Sequence, residues 1–148
     1  MQAERTDVIT HEVRIAARPE TVFAFFTDPE RMTRWKGRTA VLEARPGGIY
    51  RVDINGRDVA VGEYVELDPP RRVVFTWGWE GSDKVPPGSS TVEVTLTPDG
   101  EDTILRLVHR DLPAGEGTSH QEGWNHFLPR LVEAAAGGDP GPDPWAAG

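Results

Sequence analysis

The chain is predicted to take an α+β fold, a strongly curved antiparallel sheet of about six to seven strands wrapped around one long C-terminal helix. Three observations predict it. Period-two runs bounded by turn residues dominate from Ile9 to Asp111. The one long stretch of helical period follows them, from Ser119 to Ala135. The 148 residues make one domain's worth of chain, with a core large enough to stand without staples.

The first strand candidate alternates Ile9, His11, Val13 and Ile15 with Thr10, Glu12 and Arg14. Pro19, at a first helical position, then opens a short helix through Phe26, and Asp28-Pro29-Glu30 caps and opens a second through Arg34. Tyr50, Val52 and Ile54 form the next strand. Asn55-Gly56 supplies the positive φ values of a two-residue hairpin turn into Val59, Val61 and Leu67. Val73, Phe75, Trp77 and Trp79 share one face of the following strand. Val92, Val94 and Leu96 mark another, and Thr103 to Asp111 the last, after the turn Pro98-Asp99-Gly100.

Ser119 and Glu122 have the spacing of a capping box. Behind them Trp124, Phe127, Leu128, Leu131, Val132 and Ala135 form the apolar stripe of a helix in which Pro129 predicts a kink. The domain is expected over residues 8–136. Residues 137–148, GGDPGPDPWAAG, carry four glycines and three prolines and are expected to be a flexible tail whose Trp145 could pin it to the body.

Composition excludes several classes of function. The formal net charge of −8 and pI near 5.0 argue against a nucleic-acid partner, and no apolar run approaches the ~18 residues needed for membrane insertion. Without cysteine there is no disulfide framework and no thiolate nucleophile, and the start Met1-Gln2-Ala3-Glu4-Arg5 has no apolar signal region, so a cytoplasmic location is expected.

The stretches Ala17-Arg18-Pro19-Glu20-Thr21-Val22-Phe23 and Thr27-Asp28-Pro29-Glu30-Arg31-Met32-Thr33-Arg34-Trp35, then Pro46-Gly47-Gly48-Ile49-Tyr50, carry a resemblance in their order and spacing. Three more agree: Gly62-Glu63-Tyr64-Val65-Glu66-Leu67-Asp68-Pro69-Pro70-Arg71-Arg72-Val73-Val74-Phe75-Thr76-Trp77, Leu105-Arg106-Leu107-Val108-His109, and Gly123-Trp124 at the head of the last helix. Together they resemble the START-like superfamily, also called SRPBCC, and more narrowly the bacterial homologues of the activator of heat-shock protein 90 ATPase. The likeness runs from about Ile9 to Ala136. It implies a helix-grip fold with an internal cavity for sterols, lipids, polyketides or other apolar small molecules, and it implies no single activity. Pro129 departs from the regular helix of relatives. The chain also lacks the middle domain through which the eukaryotic co-chaperone engages its client, which counts against association with a heat-shock protein 90 homologue.

Metal ligation fails on spacing. His11-Glu12-Val13-Arg14-Ile15 has isoleucine where a zincin helix needs its second histidine, and His120 and His126 lie about 240° apart around a helix. Gly115-Glu116-Gly117-Thr118-Ser119-His120 has histidine where a dinucleotide loop needs its third glycine, and no G-x-S-x-G elbow or P-loop is present. No metal or other cofactor is expected.

What remains is the cavity lining, for which Tyr50, Phe75, Trp77, Leu105, Leu107, His109, Trp124 and Phe127 are the ligand-binding candidates. His109 shares a strand face with Leu105 and Leu107. It is the one catalytic candidate, as a general base, against the plainer role of a hydrogen-bonded core histidine. Binding or carrying of a small apolar ligand is the leading expectation. A cofactor-free cyclase or dehydratase is the first alternative and a stress-response interaction module the second. A homodimer is compatible with all three.

Overall fold

Inward-facing branched and aromatic residues on alternate positions decide the sheet. The computed structural model describes residues 6–146. The order is β1 (Thr6–Ile15), α1 (Pro19–Ala24), α2 (Pro29–Trp35), β2 (Thr39–Leu42), β3 (Ile49–Asp53), β4 (Val59–Asp68), β5 (Arg72–Trp77), β6 (Ser90–Asp99), β7 (Asp102–Pro113) and α3 (Gly117–Ala135). The seven strands form one antiparallel sheet in the order β1-β7-β6-β5-β4-β3-β2. The two short helices lie between β1 and β2. Val92, Val94 and Leu96 on β6, with Leu105, Leu107 and His109 on β7, are buried on one face. Thr91, Glu93, Thr95 and Arg106 point the other way.

The stripe on α3 closes this face. Trp124, Phe127, Leu128, Leu131, Ala134 and Ala135 are buried in the same core as the strand residues. A fully buried leucine in such a layer contributes about 1.5–3 kcal/mol. The helix runs as a single element through Pro129.

The structure differs from the sequence expectation at four places. The strand β2 carries only four residues at the sheet edge with half-exposed side chains, too short for its period to stand out. The β3–β4 connection is longer than a two-residue turn. Ile54 N–H donates to the Asp58 carbonyl at 2.9 Å, and the Asn55 side-chain oxygen accepts from the N–H groups of Arg57 and Asp58. Of the Asn55-Gly56 pair, only Gly56 takes positive φ, because the Asn55 side chain folds the loop by hydrogen bonding instead.

The capping box does not form. The helix begins at Gly117, and Ser119 Oγ donates to the Glu116 carbonyl. Asp7 replaces it: its Oδ2 accepts from the N–H groups of Gly115 at 3.1 Å and Gly117 at 2.7 Å. The β1–β7 register makes this cap reachable. Asp7 pairs with Leu112 and Ile9 with His109, so Val8 stands against both Arg110 and Asp111, and Asp111 takes a φ of 66°. The bulge keeps Leu112 inward and sets Asp7 beside the start of α3.

The fourth difference is the segment after α3, which lies back along the helix. Arg130 donates to the carbonyls of Pro140 at 3.3 Å and Gly141 at 2.9 Å. Asp143 pairs with His126 at 2.7 Å, and the Trp145 ring stacks on His126 at 3.8 Å. Side-chain bonds to backbone carbonyls supply the docking that glycine and proline propensities do not. Among the described residues, no helix is long and apolar enough to cross a membrane.

Candidate functional site

A cavity of about 460 Å³ opens between the start of α3, the end of β5 and the β3–β4 loop. Trp77 and Trp79 form one wall, Trp124 and Phe127 of α3 another, and Asn55, Arg57 and Asp58 the polar rim. Trp145 lines the mouth and is 45% exposed. Among the described residues no group of three histidine or acidic side chains converges to hold a metal ion.

Two histidines stand behind the tryptophan walls. His109 is fully buried. Its Nδ1 accepts from Trp124 Nε1–H at 3.1 Å, and its Nε2 meets Ser90 Oγ at 2.8 Å, while that hydroxyl donates to the Trp77 carbonyl at 2.6 Å. Because the Ser90 hydrogen is committed to the carbonyl, His109 carries its proton on Nε2. Burial, with His120 and Lys36 nearby, pushes its pKa down to about 3. Both ring nitrogens are therefore engaged, and neither is free to take a proton from a ligand. His120 shows the opposite tautomer: Nδ1 lies 2.7 Å from the Glu116 carbonyl, and Nε2 accepts from Trp79 Nε1–H at 3.3 Å. Each histidine thus fixes one tryptophan of the cavity wall.

Lys36 is the group that sequence reasoning missed. It ends α2, where its own N–H donates to the Met32 carbonyl, and Gly37 follows at a φ of 85°. A Cβ on Gly37 would lie 2.5 Å from Val52, so the chain can turn there only without a side chain. This turn sends the lysine inward. Lys36 is 3% exposed and lines the cavity, with Nζ 4.4 Å from the Trp124 ring centre, 5.5 Å from Phe127 and 5.7 Å from Trp77. Burial lowers its pKa to about 7. A lone lysine at a helix end has no periodic signature.

Of the residues singled out from the sequence, Trp77, Trp124 and Phe127 line this cavity. Tyr50 and Phe75 stack on each other at 4.2 Å in the core, and Leu105 and Leu107 of β7 are fully buried in it. His109 stands one layer behind the wall. Trp35 packs beneath the short helices, donating from Nε1 to the Phe25 carbonyl at 3.0 Å.

Comparison with known proteins gives a consistent family. Residues 16–136 match the family described as Activator of Hsp90 ATPase homolog 1-like protein. The solution structure of an AHSA1-like protein from Rhizobium etli is similar at 47% identity, covering 98% of this chain and 92% of that one, with a TM-score of 0.77. The crystal structure of DynU16, a protein of the dynemicin biosynthetic locus, shares 29% identity over 90% of this chain and 49% of its own, with a TM-score of 0.76. The human Activator of 90 kDa heat shock protein ATPase homolog 1 is 27% identical over 120 residues, 80% of this chain and 34% of that protein. The chain spans about a third of the length of the curated relatives it matches.

Proposed function

The chain belongs to the Activator of Hsp90 ATPase homolog 1-like family, and from that premise we propose that it binds a small apolar, aromatic or polyketide-like molecule in the cavity between β5 and α3. One observation carries this reading: the 460 Å³ cavity is walled by tryptophan faces while every core aromatic behind it is closely packed. The similarity to a protein of the dynemicin locus supports it. A cavity of this size suits a ligand of one to three fused rings. Tyr50, Phe75, Leu105 and Leu107 then serve the wall from behind, and His109 acts as a positioning residue that holds Trp124.

A titration tests the reading. Apolar aromatic probes should quench tryptophan fluorescence saturably with one-to-one stoichiometry in native mass spectrometry. Linear quenching without saturation would overturn it.

A second reading rests on the likeness to the human Hsp90 activator over 80% of this chain. It places an Hsp90-type partner on the outer surface, with the cavity uninvolved. Co-purification with a bacterial Hsp90 homologue at micromolar concentration would support it, and its absence would remove it.

A further inference from the structure

Lys36 is a costly residue for a packed interior, since an unpaired amine loses its water on burial. A methionine or leucine would fill the same space without that cost. Among the described residues, Lys36 Nζ forms no hydrogen bond or ion pair, and it faces the cavity. The groups around it are ring faces: Trp124 at 4.4 Å, Phe127 at 5.5 Å, Trp77 at 5.7 Å and Trp35 at 6.0 Å. The same side chain lines the cavity, so a ligand lying against Trp77 and Trp124 meets the amine directly.

We infer that Lys36 is a covalent capture group, and that the cavity takes an aromatic or conjugated aldehyde or ketone as a protonated imine on Lys36 Nζ. This rests on the cavity-binding reading and adds the class of ligand. Two features of the site fit both halves of the reaction. With a pKa of about 7, roughly half of Lys36 is the free amine at neutral pH, against about one in 3,000 of an ordinary lysine. The product iminium spreads its positive charge over the conjugated body of the ligand, so it loses less on burial than the compact ammonium, and it lies against the ring faces that surround Nζ.

The step balances without a cofactor. The Nζ lone pair attacks the carbonyl carbon, a C–N bond forms, and the C–O π pair moves to oxygen. One proton passes from nitrogen to that oxygen, and a second arrives from solvent at the open mouth. Water then leaves as the nitrogen lone pair closes the C=N bond, so amine, carbonyl compound and one proton become iminium and water.

The chain offers its own control, because it contains only two lysines and Lys84 is exposed on the β5–β6 loop. The full chain is incubated with cinnamaldehyde and cyanoborohydride, which reduces the iminium in preference to the free aldehyde, at pH 7, and the adducts are mapped by peptide mass spectrometry. Lys36 should be reduced to the secondary amine at least about tenfold faster than Lys84, because about half of it is free amine at this pH. Lys36→Arg should lose the fast adduct while keeping the charge, with its fold checked by thermal melting.

Cinnamyl alcohol, which cannot form an imine, reports occupancy separately through tryptophan quenching. If the alcohol binds saturably and Lys36 and Lys84 react at equal rates, the imine inference falls and the cavity reading stands. If the alcohol does not bind and Lys36 does not react, both fall. Saturable binding of cinnamate with no imine trapped would reduce Lys36 to an ion-pairing role and overturn capture.

Discussion

Tyr50, Tyr64, Phe75, Phe26 and Trp35 make one aromatic cluster of the interior; Trp77, Trp79, Trp124, His109, His120 and Lys36 make another. In the first, Tyr50 stacks on Phe75 at 4.2 Å, Tyr64 meets both edgewise, and Phe26 meets Trp35 at 5.4 Å. Two of its polar tips are turned to backbone carbonyls: Tyr64 OH donates to Phe26 at 2.7 Å and Trp35 Nε1–H to Phe25 at 3.0 Å. In the second, two tryptophan N–H groups go to histidine rings, Trp77 Nε1 has no partner among the described residues, and Lys36 has only ring faces. The first cluster ties the turn after α1 to the sheet and is fully buried. The second holds its walls open with side-chain bonds, and its unspent polar groups are what a ligand could use.

The largest expected effect therefore falls in the closed cluster. Trp35→Ala should destabilise the domain by about 3–5 kcal/mol, since it empties a fully buried site and leaves the Phe25 carbonyl without its donor. Urea denaturation checks it. Trp124→Phe, in the open cluster, keeps most of the ring and orphans only His109 Nδ1, for a cost of about 1–3 kcal/mol. Equal losses in the two variants would erase the contrast.

The two clusters should also differ in their response to pH, because only the second buries bases. His109 has a folded pKa of about 3 against 6.5 unfolded. Between those values the unfolded chain binds the extra proton, so this residue's contribution falls away as pH drops from 6.5 towards 3. His109→Gln should flatten that part of the acid limb by on the order of a few kcal/mol relative to the parent chain. Lys36 works on the other side of neutrality. Below pH 7 it is charged in both states and its burial cost is fully present; between about 7 and 10.5 the unfolded chain holds more protons, so stability rises with pH. Lys36→Met should thus be more stable than the parent by about 1–3 kcal/mol at pH 6.5, with the gain shrinking at pH 9.5. Denaturation at the two pH values reads the difference; a gain independent of pH would show that the amine is not buried as a charge.

How much of this contrast was legible in the sequence follows from what carries it. Alternation along β6 and β7 and the 3.6-residue stripe on α3 are long periodic signals, and they placed the sheet, the helix and the aromatic wall at Trp77, Trp124 and Phe127. The motifs between Ala17 and Trp124, in their order and spacing, point to the family. Tyr50 and Phe75 illustrate the limit: period two says which face a ring occupies but not whether a cavity or another ring lies against it. Asp7 carries no sequence signal as a cap, because a cap supplied from a distant strand leaves no mark near the helix it caps. Lys36 was invisible for the same reason, its meaning residing in four rings drawn from three separate segments.

The smallest expected effect concerns the mouth of the open cluster. Trp145 reaches it from the segment after α3, stacking on His126 at 3.8 Å and meeting Phe127 edgewise at 5.6 Å. Since it is 45% exposed, Trp145→Ala should cost less than about 1 kcal/mol of stability, and the Arg130 bonds to Pro140 and Gly141 should keep the segment in place. Its effect belongs to binding instead. Removing one ring from the cavity edge should weaken an apolar aromatic probe by about 0.5–1.5 kcal/mol, roughly threefold to tenfold in Kd. Calorimetric titration avoids the loss of a fluorophore. Unchanged affinity would make Trp145 a clamp on His126 rather than part of the site, and the open cluster would then end at Trp124.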